Sequence, residues 1–174
     1  MKHPPLAPLH ALLERFERAG IEVALGGSGL LAALGLADHV RDWDLTTDAT
    51  QAEIEALVQD LAPELAGPSG VHADHKVMLP SIESEVICRF AFHVEGGVVR
   101  IPTVVTGRWQ GTPLGSAEAW AVAYALMDRG EKSERLFTWL ETQGGNDAAL
   151  ARLRAEPLPA PLARRLAGIT SRNA

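Results

Sequence analysis

Gly26-Gly27-Ser28 and, fourteen positions after the serine, Asp42-Trp43-Asp44-Leu45 form the stretch of sequence that decides the fold. The apolar residues before the glycines predict a strand ending in a tight turn, and the segment after Ser28 predicts a buried helix. Asp42 and Asp44 project to the same side of a second strand, because strand side chains alternate with period two. Two neighbouring carboxylates suit Mg²⁺, which prefers oxygen ligands and leaves positions open for phosphates. The stretch therefore predicts a site for metal-assisted phosphoryl transfer.

A structural interpretation of the same residues stays open. The aspartates would then be solvated residues at a strand end, and the glycines would form a plain tight turn. Either motif alone is common, whereas the order strand, glycine turn, helix and acidic strand is much more specific. Trp43 lies between the two acids in sequence and faces away from them, so we expect it to pack in the core.

The composition is that of an ordinary folded domain. The 174 residues suffice for one domain with a core, and 47% hydrophobic and 22% charged residues are typical values. A formal net charge of −6 disfavours broad DNA or RNA binding, which needs a basic face. No apolar run approaches the roughly 20 residues of a membrane span, and the amino-terminal sequence lacks a signal-peptide pattern. The single cysteine, Cys88, is predicted to be a buried hydrophobe in a cytoplasmic protein without membrane attachment.

Apolar periodicity, capping signals and glycines divide the chain into helices and strands. The predicted helices span 6–19, 28–36, 50–61, 117–129, 132–142, 147–155 and 161–167. The predicted strands span 21–25, 43–47 and 71–79, with a hairpin of 85–94 and 98–105 around Gly96-Gly97. Because this is not an alternating βαβ series, a Rossmann domain is not expected. The pattern predicts an α/β or α+β fold with a mixed sheet flanked by helices. Residues 1–112 would form its core, and 113–174 a helical carboxyl-terminal segment of the same domain.

Residues 21–48 resemble the signature of the polymerase-β-like nucleotidyltransferase superfamily, a Gly-Gly/Ser turn followed by Asp-hydrophobe-Asp/Glu-hydrophobe. Arg41, directly before the acids, is similar to the small bacterial members, including the abortive-infection toxin type. The segment from Gly115 to Lys132 resembles the helix that follows the sheet in those proteins and ends in a basic cluster, here including Arg129. The resemblance implies a nucleotidyltransferase-like mixed sheet with helices on its faces.

The resemblance also implies a metal-dependent enzyme that moves a nucleoside monophosphate from an NTP to an acceptor hydroxyl. In that interpretation Asp42 and Asp44 are catalytic acids that bind Mg²⁺ or Mn²⁺. The residues implied in nucleotide binding are Gly26, Gly27, Ser28 and Arg41. The acceptor can be a small molecule, an RNA end or a protein hydroxyl, and the acidic net charge disfavours the RNA.

The family pattern includes a third carboxylate on a later strand, which completes the metal site and acts on the attacking hydroxyl. The strand predicted from Val86 to Val94 carries Arg89 and no acid. Glu85, at its start, is the candidate for the third catalytic acid, and the alternative is that no third ligand exists. A chain without one fits a catalytically degenerate nucleotide-binding or partner-binding protein, with Arg89 binding phosphate directly. By the resemblance, such a protein can belong to a bacterial toxin–antitoxin or defence pair.

The segment His72-Ala73-Asp74-His75 invites a metal-site interpretation. On a strand, His-x-x-His places the two imidazoles on opposite faces, and no cysteine or other histidine lies nearby in sequence to complete a site. We therefore expect ordinary structural residues here. A further option is that His75 or Lys76 borders the nucleotide pocket, since their strand starts near the active edge of the sheet.

Overall fold

The computed structural model describes residues 1–172, and a mixed sheet of seven strands organises that range. In spatial order the strands are β3 (Glu64–Ala66), β4 (His75–Leu79), β5 (Ser84–Cys88), β2 (Trp43–Thr47), β1 (Ala24–Leu25), β9 (Thr112–Leu114) and β8 (Gly107–Trp109). The pairs β2–β5 and β1–β9 are parallel, and the other neighbours are antiparallel. A separate ribbon of two strands, β6 (Ala91–Val94) and β7 (Gly97–Arg100), lies outside this sheet.

Several helices begin at residues that cap them. The Thr50 hydroxyl accepts from the Glu53 amide and the Glu53 carboxylate accepts from the Thr50 amide, a capping box that starts α3 (Gln51–Val58). Ser116 and Asn146 cap α4 (Ala117–Leu126) and α6 (Asp147–Arg154) through their side-chain oxygens. The remaining helices are α1 (Leu6–Arg18), α2 (Gly27–Ala33), α5 (Gly130–Gln143) and α7 (Ala160–Ala167), with 3₁₀ turns at Gln59–Leu61 and Pro80–Ile82.

The two faces of strand β2 have different surroundings. Trp43 and Leu45 are fully buried in a core that also contains residues of α1 and α3. Asp44 projects from the opposite face, into a pocket that α4 borders. Trp43 therefore faces away from the acids, and the prediction from period-two alternation is confirmed.

A second core joins the helical carboxyl-terminal segment to the sheet. It includes Trp120 and Tyr124 of α4 and Phe137 of α5. Glu118, which is only 2% exposed, accepts a hydrogen bond from the Asn146 amide at 2.5 Å and so ties α4 to the start of α6. These contacts hold α4 against the acidic face of the sheet.

The predicted hairpin is wrong in its first strand, which is broken at Arg89. β5 ends at Cys88, and Arg89 takes a left-handed conformation with φ of 53° while its amide donates to the Thr47 carbonyl at 2.8 Å. The chain then leaves the sheet, and the hairpin around Gly96-Gly97 is reduced to β6 and β7. The apolar run gives no local sign of this break, because a continuous strand and an interrupted one have the same composition.

Other element boundaries also differ from the predictions. The strands expected at 21–25 and 71–79 are shorter in the structure, where only β1 and β4 form. Strands β3, β8 and β9 were not predicted, because each has three residues and so short a segment shows too little periodicity. The α+β class with a mixed sheet and helical carboxyl-terminal segment is confirmed. The division between 1–112 and 113–174 falls at β9 and remains a prediction. No helix within residues 1–172 is long and apolar enough to span a bilayer.

Candidate functional site

The three candidate acids lie on one face of the sheet. β2 and β5 run parallel in a register that places Asp44 opposite Glu85. Asp42 directly precedes β2 and shares the face of Asp44. All three side chains line a pocket of about 530 Å³, called the acidic pocket below. The parallel register, which no local pattern specifies, therefore brings Glu85 to the pair that the sequence identified.

Helix α4, the turn after it and the start of α5 also line the acidic pocket. Trp120 and Tyr124, one helical turn apart, supply aromatic surface, and Arg129 and Lys132 supply positive charge. The predicted residues that the pocket brings together are Ser28, Arg41, Asp42, Asp44, Lys76, Glu85, Arg129 and Lys132. The basic cluster inferred from the resemblance thus lies at the same pocket as the acids.

The two predicted glycines lie beside the pocket and are needed for packing. Gly27 has φ of 53°, and a Cβ built on it would overlap the Asp44 carboxylate. A Cβ on Gly26 would overlap the indole of Trp120. The Gly26 amide also donates to the Asp44 carbonyl at 2.7 Å. The turn therefore lets Asp44 and Trp120 approach the same short piece of backbone.

Asp44 is an acid with a strongly perturbed pKa. Burial, together with repulsion from Asp42 and Glu85, raises the pKa of Asp44 to about 7, against the opposing effects of Lys76 and Arg129. Part of the residue remains accessible from the pocket, so the shift reflects the depth of the carboxylate rather than complete enclosure. Negative charge concentrated in this way is relieved by a proton or by a bound cation.

Glu85 is held in an ion pair. Lys76 Nζ donates to Glu85 Oε1 at 2.8 Å, and the two side chains are 26% and 22% exposed. Within residues 1–172, no group of three or more His, Cys, Asp or Glu side chains lies close enough together to hold a metal ion. The candidate third acid therefore lies beside Asp44 without completing a three-carboxylate site.

Lys132 is a partly desolvated cation of the acidic pocket. Burial, reinforced by the charge of Arg129, lowers the pKa of Lys132, whose ammonium lies 5.3 Å from the centre of the Tyr124 ring. Burial, with the nearby charge of Asp44, raises the pKa of Tyr124, which keeps its hydroxyl protonated. Arg41 is mostly exposed and donates to Asp42 Oδ2 at 3.2 Å. The pocket thus offers acids on the sheet and cations on both the sheet and the helical side.

Among the residues of the acidic pocket that sequence reasoning missed are His72, Trp120 and Tyr124. The spacing of Trp120 and Tyr124 was a usable signal, because residues four apart share a helix face. His72 had no such signal, since it lies in the loop before β4 and reaches the pocket only through the tertiary fold.

A second cavity, of about 870 Å³, contains two residues that the sequence analysis considered for the nucleotide site. His75 and Arg89 line this cavity rather than the acidic pocket, so the idea that Arg89 binds phosphate beside the acids is wrong. The sequence analysis offered His75 or Lys76 as a residue that borders the nucleotide pocket. Of these two, Lys76 lines the acidic pocket. Cys88 is buried, and burial raises the pKa of its thiol to about 12, as a core residue requires.

Comparison with known proteins places the fold, although no protein-family model matches this sequence and no curated protein is recognisably similar to it. A crystal structure of a candidate nucleotidyltransferase from Thermotoga maritima is 23% identical, with coverage of 79% of this chain and 92% of that one and a TM-score of 0.57. ANT(2'')-Ia in complex with adenylyl-2''-tobramycin is 16% identical, with coverage of 79% and 90% and a TM-score of 0.54. The solution structure of the antibiotic-resistance factor ANT(2'')-Ia is 18% identical, with coverage of 77% and 83% and a TM-score of 0.53.

These likenesses extend over more than three quarters of the chain and most of each solved structure. The chain therefore has a nucleotidyltransferase-like fold, and the fold implied by the sequence resemblance is confirmed.

Proposed function

We propose that this chain is a nucleotidyltransferase that moves a nucleoside monophosphate from an NTP to an acceptor hydroxyl. The observation that carries the proposal is the position of Asp42 and Asp44 on one sheet face, with Glu85 opposite Asp44 and all three in one pocket. The nucleotidyltransferase-like fold supports the proposal at the level of architecture.

The side chains of the acidic pocket fit a divalent cation such as Mg²⁺ or Mn²⁺. Asp42 and Asp44 offer hard oxygen ligands from one face, and a bound cation would offset the burial and the repulsion that raise the pKa of Asp44. We assign cation binding to Asp42 and Asp44, with Glu85 available only if its ion pair with Lys76 opens. A cation bound there would neutralise phosphate charge in the NTP.

The remaining residues of the pocket are assigned to binding and orientation. Arg129 and Lys132, with Arg41 and Ser28, would hold the phosphates so that the acceptor oxygen lies in line with the bond to the leaving pyrophosphate. Phosphoryl transfer gains most of its acceleration from such positioning and charge neutralisation. The mixed charge of the pocket suits this task, because acids and cations address different parts of the same ligand.

The first acceptor class to test is a small-molecule hydroxyl, because ANT(2'')-Ia was solved with adenylyl-2''-tobramycin. An RNA end and a protein hydroxyl are the other two classes. A role in a bacterial toxin–antitoxin or defence pair rests on the sequence resemblance alone.

A second candidate function is nucleotide or partner binding without transfer. The observation that favours it is the Lys76–Glu85 ion pair, which occupies the candidate third acid. A chain of this kind would bind NTP in the acidic pocket and leave it intact.

The test is incubation of the wild-type chain with Mg²⁺ and each NTP labelled at the α-phosphate, with small-molecule, RNA and protein acceptors and with water alone. Binding, label transfer and pyrophosphate release are measured together. Asp42→Asn and Asp44→Asn each remove a charge with little change in shape, and Asp147→Asn, exposed at the start of α6, is the matched control. We expect transfer to fall about 100-fold or more in the first two variants and to be unchanged in the control.

Each result selects one of the functions. Label transfer that depends on Asp42 and Asp44 supports the transferase. NTP binding without transfer or pyrophosphate release supports the silent binding protein. A wild-type chain that does not bind any NTP in the presence of Mg²⁺ or Mn²⁺ overturns the transferase and the nucleotide-binding protein.

A further inference from the structure

One histidine of the acidic pocket is held by a buried carboxylate. His72 lines the pocket that contains Asp42 and Asp44, and its Nδ1 lies 3.1 Å from Asp74 Oδ1. The His72 side chain is 28% exposed, whereas the Asp74 side chain is completely enclosed. Because Nδ1 is engaged by Asp74, Nε2 is the ring nitrogen that remains for a ligand of the pocket.

The two-stranded ribbon fixes the loop that carries His72. The Ala73 amide donates to the Ala91 carbonyl of β6 at 2.9 Å, which attaches the loop to the ribbon. The His72 ring packs against Phe92 with 5.0 Å between ring centroids. The break at Arg89, which moves β6 out of the main sheet, is therefore also what supports His72 beside the pocket.

Asp74 is poorly explained as a purely structural residue. Its Oδ2 is buried and has no hydrogen-bond partner among the residues that the structure describes. Enclosing a carboxylate with an unsatisfied oxygen is unfavourable, and such groups in native proteins call for a functional explanation. A carboxylate that orients a histidine and stabilises its protonated form supplies one.

We propose that His72, positioned by Asp74, is the general base that accepts the proton of the attacking hydroxyl. The inference rests on the proposed nucleotidyl transfer and names the base for that reaction. Glu85 is another candidate for this role, but its carboxylate already accepts a hydrogen bond from Lys76 Nζ at 2.8 Å. The arrangement of acceptor, histidine and buried carboxylate is the general logic of an activated nucleophile.

The Nε2 lone pair of His72 takes the hydroxyl proton while the acceptor oxygen forms its bond to the α-phosphorus. The bond from the α-phosphorus to the bridging oxygen breaks, and its electron pair leaves with pyrophosphate. Asp74 stays deprotonated and stabilises the imidazolium, which then returns its proton to solvent.

The test compares His72→Ala with His93→Ala in steady-state kinetics of pyrophosphate release. The acceptor is the one found in the labelled-NTP assay, or water where none is better. His93 is the matched control, because it is an exposed histidine of the same ribbon that lines the second cavity. We expect His72→Ala to lower kcat about 100-fold or more with NTP affinity within about twofold, and His93→Ala to match the wild type.

Two further measurements separate proton transfer from packing. Added imidazole should restore part of the kcat of His72→Ala, because a small base can enter the space left by the ring. Asp74→Asn should lower kcat without weakening NTP binding, and should shift the ¹⁵N signals of the His72 ring away from the Nδ1-protonated form. Circular dichroism and thermal unfolding verify that each variant is folded.

The outcomes test the role of His72 separately from the proposed nucleotidyl transfer. A His72→Ala variant with full kcat, or one with reduced kcat that imidazole does not restore, overturns the role of His72 and leaves the transferase intact. A wild-type chain that binds NTP but releases no pyrophosphate overturns both the transferase and its base. If Asp74→Asn fails to fold, imidazole rescue of His72→Ala still decides.

Discussion

Two of the three Gly-Gly pairs of the chain, Gly26-Gly27 and Gly96-Gly97, occupy turns for different physical reasons. A Cβ at Gly26 or Gly27 would overlap Trp120 or Asp44, so these glycines are required by what packs against them. A Cβ at Gly96 or Gly97 would meet nothing within 4 Å, and both have positive φ near 140°. The second pair is therefore required only by the conformation of its own turn.

The difference shows that the same dipeptide can mark a site or merely a bend. The Gly26-Gly27 turn brings a strand, a carboxylate and a helix together at the acidic pocket, whereas the Gly96-Gly97 turn reverses the two-stranded ribbon at its exposed tip. Substitutions in the first turn should thus affect both stability and activity. Substitutions in the second should affect local stability alone.

The largest effect is expected from Gly27→Ala. The Cβ of the alanine would overlap the Asp44 carboxylate, and the residue would also be strained by its left-handed conformation. We therefore expect the free energy of unfolding to fall by about 3 kcal/mol. Gly35→Ala is the matched control, because Gly35 has φ of 75° with nothing within 4 Å and should lose only about 1 kcal/mol. Urea denaturation measures both. Equal losses would show that Asp44 yields to the added methyl, and the comparison of the two turns would fail.

Gly26→Ala should have the next largest effect. Gly26 has φ of −125°, outside the left-handed region that favours glycine, so the main effect must come from overlap with the buried Trp120. We expect a loss of about 2 kcal/mol in the free energy of unfolding. Tryptophan fluorescence should report the displacement of the indole. Wild-type stability together with an unchanged spectrum would contradict the packing explanation.

A smaller effect is expected from pH, through the carboxylate that Gly27 contacts. The folded-state pKa of Asp44 is raised from 3.8 to about 7, so between these values the folded chain binds more protons than the unfolded chain. The contribution of Asp44 to stability therefore falls as pH rises through this window, by at most about 1.4 kcal/mol per pH unit and by less because the pocket is open to solvent.

Denaturation in EDTA at pH 5 and pH 7 measures this dependence. The fall in the free energy of unfolding from pH 5 to pH 7 should be smaller in Asp44→Asn than in the wild type. It should be unchanged in Asp147→Asn. A decline of equal size in all three proteins would assign it to groups other than Asp44.

The smallest effect is expected from Gly96→Ala. The added Cβ meets no neighbour, so the variant has only the backbone strain of a positive φ at an exposed turn, which the ribbon can partly relax. We expect a loss of about 1 kcal/mol, with NTP binding and pyrophosphate release unchanged. Loss of activity without loss of stability would show that the ribbon tip contributes to the site and would erase the contrast between the two turns.

The acidic strand was the most predictable part of the candidate site. Asp42 and Asp44 share a face and Trp43 packs on the other, because alternation along a strand is a local rule. Residues outside that rule were less predictable. Glu85 was placed by a strand register, and His72 by its attachment to β6. The break at Arg89 was missed for the same reason, since a left-handed residue in an apolar run depends on contacts made elsewhere.

The sequence by itself determined the fold class, the pairing of Asp42 with Asp44 and the positions of the capped helices, because these follow from side-chain periodicity and local hydrogen bonding. Only the tertiary structure decided that Glu85 is held by Lys76, that Gly27 makes room for Asp44 and that His72 joins the pocket with Asp74 behind it. These are contacts between residues distant in the chain. Their geometry is set by strand register and packing, which no short stretch of sequence encodes.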